Sequence, residues 1–407
     1  MALLLLSGCA TAPKEYREPV ALKAQDRAAV NLAVFDKAWT LTNENYFDPK
    51  FRGVDWNAMR EKYRPEAEKA ADDTALYSVL NHMCAEMKES HLHAASPRQS
   101  FERREEARAA VGMMLTEIEG KMVVRELVPG SPAEKAGVKP GWIVTMRNGS
   151  PFTKGESFVT RLGQPVTFEF FDEKDQRRTL VIDPALLTFT RLETRKLDGG
   201  FVYLRFDEFS KKTLSWLSEQ LKEHAEAPGV IVDLRGNPGG NALMLSVSEA
   251  EFFPQSFPHG VANGTWISRS GNRRETSSFS WNSAHYRGRV VVLTSPGTAS
   301  AAEIFSHVLQ FHHRAIVVGE RSAGAVISSR RYDLPDGGLI QIPVRDYVGL
   351  DGQRLEHRGV MPDHVVPRPT RAQLAAGEDP CLPIALDLLQ HGPEPQFAKT
   401  FHRHRTE

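Results

Sequence analysis

Cysteine is scarce in this chain: 407 residues hold three, Cys9, Cys84 and Cys381. No CxxC spacing joins them, which excludes a disulfide framework and a cysteine-built metal or redox site. Net charge is missing as well, because 51 Lys and Arg balance 51 Asp and Glu. A nucleic-acid binder shows an excess of positive charge on some domain, so that class is excluded. No apolar run approaches a membrane span, and there is no internal repeat. Hydrophobic residues at 41% and charged residues at 25% exclude disorder and collagen-like sequence. The length exceeds what one core needs and predicts two or three domains.

What is present begins with a short apolar stretch running into Leu6-Ser7-Gly8-Cys9. This resembles the lipobox of a bacterial lipoprotein signal, although no Lys or Arg precedes it. The resemblance implies a lipid-anchored Cys9 in the cell envelope, on the periplasmic side and at the outer membrane of a Gram-negative bacterium. The alternative is a disordered apolar tag. Residues 1–9 are then a signal and 10–28 a polar tether.

Residues 29–96 read as a helical unit. Leu32, Phe35 and Trp39 fall at helical spacing, as do Leu76, Val79, Leu80, Met83 and Met87, with Asp72 or Asp73 as an N-cap. The polar run 97–108 looks like a linker. Short strand-like segments follow over 108–187, around the string Pro129-Gly130-Ser131-Pro132-Ala133-Glu134-Lys135-Ala136-Gly137-Val138-Lys139-Pro140-Gly141. That string resembles the central signature of PDZ domains, with Trp142 standing where such bacterial domains carry Asp. By this resemblance Val111-Gly112-Met113-Met114 is the loop that caps a peptide carboxylate while the peptide adds a strand. Residues 188–371 alternate buried-strand runs with helical stretches, which points to an α/β core. The segment 372–407 contains one apolar patch, 382–389, expected to form a docking helix.

Chemistry concentrates in four places. Asp233-Leu234-Arg235-Gly236-Asn237-Pro238-Gly239-Gly240 follows a buried strand, and paired glycines let backbone amides approach a ligand. Thr298-Ala299-Ser300-Ala301-Ala302-Glu303 places Ser300 at a helix start, where orphan amides favour a developing oxyanion. Gly319-Glu320-Arg321-Ser322-Ala323-Gly324 follows the next strand, and Glu356-His357-Arg358-Gly359-Val360-Met361-Pro362-Asp363 closes the region. In this order the segments resemble the C-terminal processing and tricorn-core serine proteases, from near Leu32 to about Pro367. The resemblance implies a crotonase-like α/β protease core carrying a PDZ domain, polypeptide substrates and no cofactor.

The family uses two catalytic schemes. One places a Lys base 25 residues after the nucleophile, where this chain has Ala325, and no Lys occurs between Ser300 and Lys399. An unaided Ser hydroxyl is a poor nucleophile at neutral pH, so another base is required. The tricorn-like scheme supplies a His preceded by Ser, and a distant Glu. It implies Ser300 as nucleophile and His91 as base, with Glu356 supporting the base directly or through Ser90. Gly239 and Ala301 are the implied oxyanion donors, with Gly240 the alternative to Gly239.

Other readings stay open at this point. Ser295 and Thr298 are neighbouring hydroxyls, His93 is a second candidate base, and His91-x-His93 could ligate a metal, although no third ligand is evident. Glu320 or Glu303 could be the acid, and Glu303 is also explained by its place in the first turn of a helix. Arg235 and Asn237 are expected to hold the glycine turn. The expected protein is an exported serine endopeptidase cleaving exposed or unstructured polypeptide near its C-terminus. The alternative is a catalytically degenerate PDZ scaffold that binds peptides at the membrane. Self-association is compatible with either. Since His91 and Ser300 flank the PDZ segment in sequence, closure of separate parts is expected to assemble the site.

Overall fold

The computed structural model describes residues 16, 23–105, 107–153, 160–189, 191–253, 260–279 and 285–393. Cys9 and the lipobox lie outside the described residues. The chain divides into two compact units. The larger comprises Ala24–Ala94, Thr190–Pro369 and Glu378–Glu407, and the smaller Met1–Lys23, Ala95–Phe189 and Thr370–Gly377. No described helix is long and apolar enough to cross a membrane.

The larger unit is built on a six-stranded sheet running Leu192–Lys196, Val202–Phe206, Gly229–Asp233, Arg289–Thr294, Ile316–Gly319 and His364–Val365. Only the first pairing is antiparallel. Every residue of Val202–Phe206 and Gly229–Asp233 is buried, as expected of parallel strands covered on both faces. Alternate residues serve different cores. Val230, Val232, Val290 and Val292 pack with Leu217, Leu245, Phe305 and Leu309 from helices on one face. Ile231, Val291 and Leu293 pack with Ala385 and Leu389 on the other. Those last two belong to the helix Cys381–His391, so the apolar patch near the C-terminus does form a docking helix.

The N-terminal helices Ala24–Asn45, Trp56–Glu68 and Asp73–Ala85 are not a separate domain. Their apolar faces, including Phe35, Leu76, Leu80 and Met83, share one core with Ile327, Leu334, Ile340 and Ile342. These four come from the segment holding the antiparallel strands Ile327–Asp333 and Leu339–Val348. The third helix starts at Asp72, whose side chain accepts from the Ala75 amide.

The smaller unit is an antiparallel sheet ordered Met113–Ile118, Lys121–Leu127, Ile143–Arg147, Val166–Phe171 and Arg177–Ile182. A short helix, Pro132–Lys135, connects the second and third strands, capped by Ser131. The run expected to be a linker is ordered structure. Ser96 and Gln99 form a capping box that starts the helix Pro97–Arg104, and Ala107–Ala110 pairs with Ala185–Thr188. Residues 372–377 also depart from expectation, because the helix Arg371–Ala376 belongs to this unit and sets Leu374 against Val123 and Ile143. A Cβ on Gly141, at φ +84°, would lie 2.8 Å from the Ala375 Cβ. Trp142, unexplained by sequence, is buried edge-on to Phe170 and donates its indole N–H to Glu173 over 2.7 Å.

Candidate active site

Ser300 forms the N-cap of the buried helix Ala301–Phe311. Its backbone is forced to φ 54°, ψ −119°, a left-handed conformation that side-chain-bearing residues rarely adopt. Two amide acceptors hold it there, the Ala325 carbonyl at 2.9 Å and Glu303 Oε2 at 3.0 Å. The Ser300 hydroxyl faces the Glu303 amide in a capping box and donates to no acceptor among the described hydrogen bonds, whereas its neighbours are donors. Ser295 Oγ donates to the Arg235 carbonyl and Thr298 Oγ1 to the Leu234 carbonyl. Of the three hydroxyls weighed as nucleophiles, Ser300 is the one left to react.

Glu303, one turn into the helix, is fully buried and accepts four hydrogen bonds. Its donors are the amides of Ser300, Gly324 and Ala325 and the hydroxyl of Ser322, at 3.0, 2.7, 2.8 and 2.6 Å. Burial pushes its carboxyl pKa up, against the lowering effect of those donors. Ser322 Oγ also accepts the Val360 amide at 2.6 Å, and the His357 amide donates to the Gly324 carbonyl at 2.7 Å. One carboxylate therefore ties the nucleophile turn to the loop 322–325 and, through it, to the loop 355–360. The spacing Ser300-x-x-Glu303 is a capping-box pattern and was the available signal for this role.

The Asn237 turn lies against the same helix start. Asn237 Nδ2 donates to the Phe206 carbonyl at 3.0 Å, and its Oδ1 accepts the Gly239 amide at 2.8 Å. This corrects the expectation for Gly239, since its N–H is committed within the protein. Gly239 serves by lacking a side chain: at φ +107° an added Cβ would lie 2.7 Å from the Ser300 Cβ and 3.0 Å from the Ala301 nitrogen. Gly240 bridges Phe209 in parallel through its neighbours, Gly239 C=O accepting from Phe209 N–H and Asn241 N–H donating to Phe209 C=O. The amide of Gly240 itself faces away from that bridge and has no acceptor among the described hydrogen bonds. The Ala301 amide is likewise an orphan donor of the helix start.

His91 sits in the turn after the third helix, with its Nδ1 2.7 Å from Ser90 Oγ. Glu356 Oε1 accepts the Ser90 amide at 3.1 Å and its Oε2 accepts the Val326 amide at 2.6 Å. The carboxylate thus reaches the Ser90–His91 segment through the Ser90 backbone, and no described hydrogen bond runs from Glu356 to the imidazole. The adjacent Ala325 carbonyl accepts the Ser300 amide, so Ser300, Ala325-Val326, Glu356, Ser90 and His91 form one chain of contacts. No described hydrogen bond joins His91 to Ser300. Burial lowers the His91 pKa below 6.5, opposed by the Glu356 charge. This favours a neutral, proton-accepting imidazole at neutral pH. His93 lies in the strand His93–Ala95, and Glu320 pairs with Arg368 at 3.0 Å. All of these groups belong to the larger unit. The expectation that separate parts must close to assemble the site is therefore corrected, because His91 and Ser300 lie in one compact unit, with the segment Ala95–Phe189 of the smaller unit inserted between them in sequence.

Of the peptide-loop candidates, Val111 and Gly112 use their carbonyls on the Ala133 and Val128 amides, both at 2.9 Å. Met113 and Met114 begin a strand at the end of the sheet order, paired on one side by Lys121–Leu127.

A serine in a strained backbone conformation at a helix N-terminus, an imidazole and a buried carboxylate are thus joined through one network of contacts, residue types that serine hydrolysis uses. Residues 200–366 match the peptidase family S41 and residues 29–85 the tricorn protease C1 domain. The chain is 27% identical over 384 residues to the carboxyl-terminal-processing protease of Synechocystis, covering 88% of this chain and 86% of that one. It is 26% identical to tricorn protease homolog 2 of Streptomyces coelicolor over 90% of this chain, but spans only 33% of that larger protein. Among solved structures, the photosystem II D1 C-terminal processing protease superposes with a TM-score of 0.58 at 23% identity, covering 83% of this chain and 93% of that one. Residues 200–366 are an S41 peptidase domain and residues 29–85 a tricorn C1 domain, and the chain is a serine-type peptidase related to the carboxyl-terminal-processing proteases. The scaffold alternative is not favoured by these matches.

Proposed function

We propose that the protein is a serine endopeptidase of the His-dependent type, in which Ser300 attacks the scissile carbonyl and His91 takes its proton. The observation that carries this reading is the network from Ser300 through Glu356 to Ser90 and His91, in a chain with no Lys between 300 and 399. Ser90 holds Nδ1, which leaves Nε2 to accept the hydroxyl proton and later return it to the leaving amine. Glu356 is a positioning residue that fixes the Ser90 backbone and stabilises the imidazolium by charge. The amides of Gly240 and Ala301 receive the oxyanion, and the helix dipole favours the developing charge.

The substrate is exposed or unstructured polypeptide, cut near its C-terminus. The smaller unit acts as a PDZ domain in this proposal, its Val111–Met114 loop and the strand it begins accepting a peptide tail. The core is of the crotonase-like type. Lipidation at Cys9 on the periplasmic face of the envelope completes the reading and is tested by metabolic lipid labelling of wild type against Cys9→Ala. The decisive experiment is hydrolysis of an unfolded protein by the purified chain. Ser300→Ala is expected to lose activity by about 10³-fold or more, and equal rates would overturn the reading.

A further inference from the structure

Glu89, immediately before the Ser90–His91 pair, has a side chain with no solvent exposure, and one of its carboxylate oxygens has no hydrogen-bond partner among the described residues. The other accepts the Tyr46 hydroxyl at 3.0 Å. A carboxylate oxygen of Glu89 lies within 4.8 Å of one from Glu356 and of a His357 ring nitrogen. Two buried carboxylates so close oppose each other's ionisation unless cations offset them. Two guanidiniums stand nearby: Arg354 and Arg52 each approach Glu89 Oε1 to 3.6 Å. Arg354 is held in turn by Asp346 at 2.7 Å. The groups facing Glu89 are thus Tyr46 and Arg52 from the N-terminal helical segment, and Arg354, Glu356 and His357 from the loop after Leu339–Val348.

We propose that Glu89 and Glu356 form a carboxylate pair behind Ser90–His91, in which Glu89 is a second, buried positioning anion that strengthens His91 as a base. A hydrophobic side chain before Ser90 would satisfy packing there. A carboxylate with an unpartnered oxygen, two arginines and a tyrosine around it is instead arranged to keep charge in place. When His91 takes the proton from Ser300, the imidazolium forms under the charge of Glu356, and Glu89 acts on it through its pairing with Glu356. Burial pushes the Glu89 pKa up, with the Arg354 charge opposing it, so its ionisation depends on this cation shell. The inference rests on His91 as the base.

The test is the pH profile of kcat/KM. Glu89→Gln keeps the shape and removes the charge. His91 should become a weaker base, with the acidic limb shifted down by roughly half a pH unit and kcat on the plateau reduced about tenfold. Glu89→Asp keeps the charge while losing the reach to Tyr46, and its limb should stay near that of wild type. Packing alone predicts that both variants lose activity with no movement of the limb. A measurement without any Glu89 variant covers the case in which these do not fold. In the Ser300→Ala protein, the His91 ring resonance should register, besides its own titration, a further step from the Glu89 carboxyl, and the absence of that step overturns the proposal. An active Ser300→Ala, or a wild type with no acidic limb, sinks the catalytic reading itself. A dead Ser300→Ala with superimposable limbs for wild type and Glu89→Gln sinks only the carboxylate pair.

Discussion

Ser300 and His91 sit in the same compact unit but are held by different kinds of structure. The nucleophile stands at a helix start, in a left-handed conformation, tied through its backbone to a buried carboxylate with four donors. The candidate base stands in a turn, its ring held by one neighbouring hydroxyl and its segment by a carboxylate that accepts two amides. Strain at a reactive atom persists only where the surroundings over-determine it, which is what Glu303 supplies. A proton-transfer group needs orientation and a tuned pKa, and retains freedom to align when substrate arrives. The difference suggests that rigidity was placed where bond-making geometry demands it.

Substitutions break this comparison in graded steps. His91→Ala should cost on the order of 10³-fold or more in kcat, comparable to Ser300→Ala, while His93→Ala should change little. Equal activity of the two histidine variants would refute the assignment. Glu303→Ala should lose both stability and turnover, because it orphans buried amides of Gly324 and Ala325. With about 1–3 kcal/mol per stranded group, a drop of about 3–5 kcal/mol is expected in chemical denaturation. Retained stability would show that the four-donor carboxylate is not the tie described. Glu356→Gln should reduce kcat well short of the roughly 10⁴-fold seen when a triad acid contacts the imidazole directly, since here the carboxylate meets a backbone amide. Ser90→Ala, which removes only the hydroxyl at Nδ1, should have the smallest effect, about tenfold or less.

The pH response sharpens the same contrast. Burial places the His91 pKa below its ordinary value, so the neutral base prevails at neutral pH and is lost as pH falls through the lowered pKa. The acidic limb of kcat/KM should therefore lie below that of an ordinary imidazole, and a limb above it would show that Glu356 outweighs burial.

Much of this was legible in the chain. Runs such as Val230-Ile231-Val232 and Val290-Val291-Val292-Leu293 read as buried strands and are so, because residues covered on both faces must be apolar throughout. The capping box at Ser96 and Gln99 was also readable, yet the surrounding charge made it look like a linker. Trp142 was opaque because its account needs Glu173 and Phe170, which meet it only after the sheet folds.

The sequence by itself determined the chemical inventory. A Ser at a helix start, a Ser-His pair, a distant Glu and no Lys to act as base are facts of composition and order, and they limit which reaction can be run. Only the tertiary structure decided which groups meet. It committed the Gly239 amide to Asn237, left that of Gly240 without an acceptor among the described hydrogen bonds, and gave Glu303 four donors from two segments. It also folded the helices before the insertion onto the strands after it, so that His91 and Ser300 share one unit without closure of separate domains. The reason is physical: hydrogen-bond commitments and burial arise between segments far apart in the chain, and no local pattern carries them.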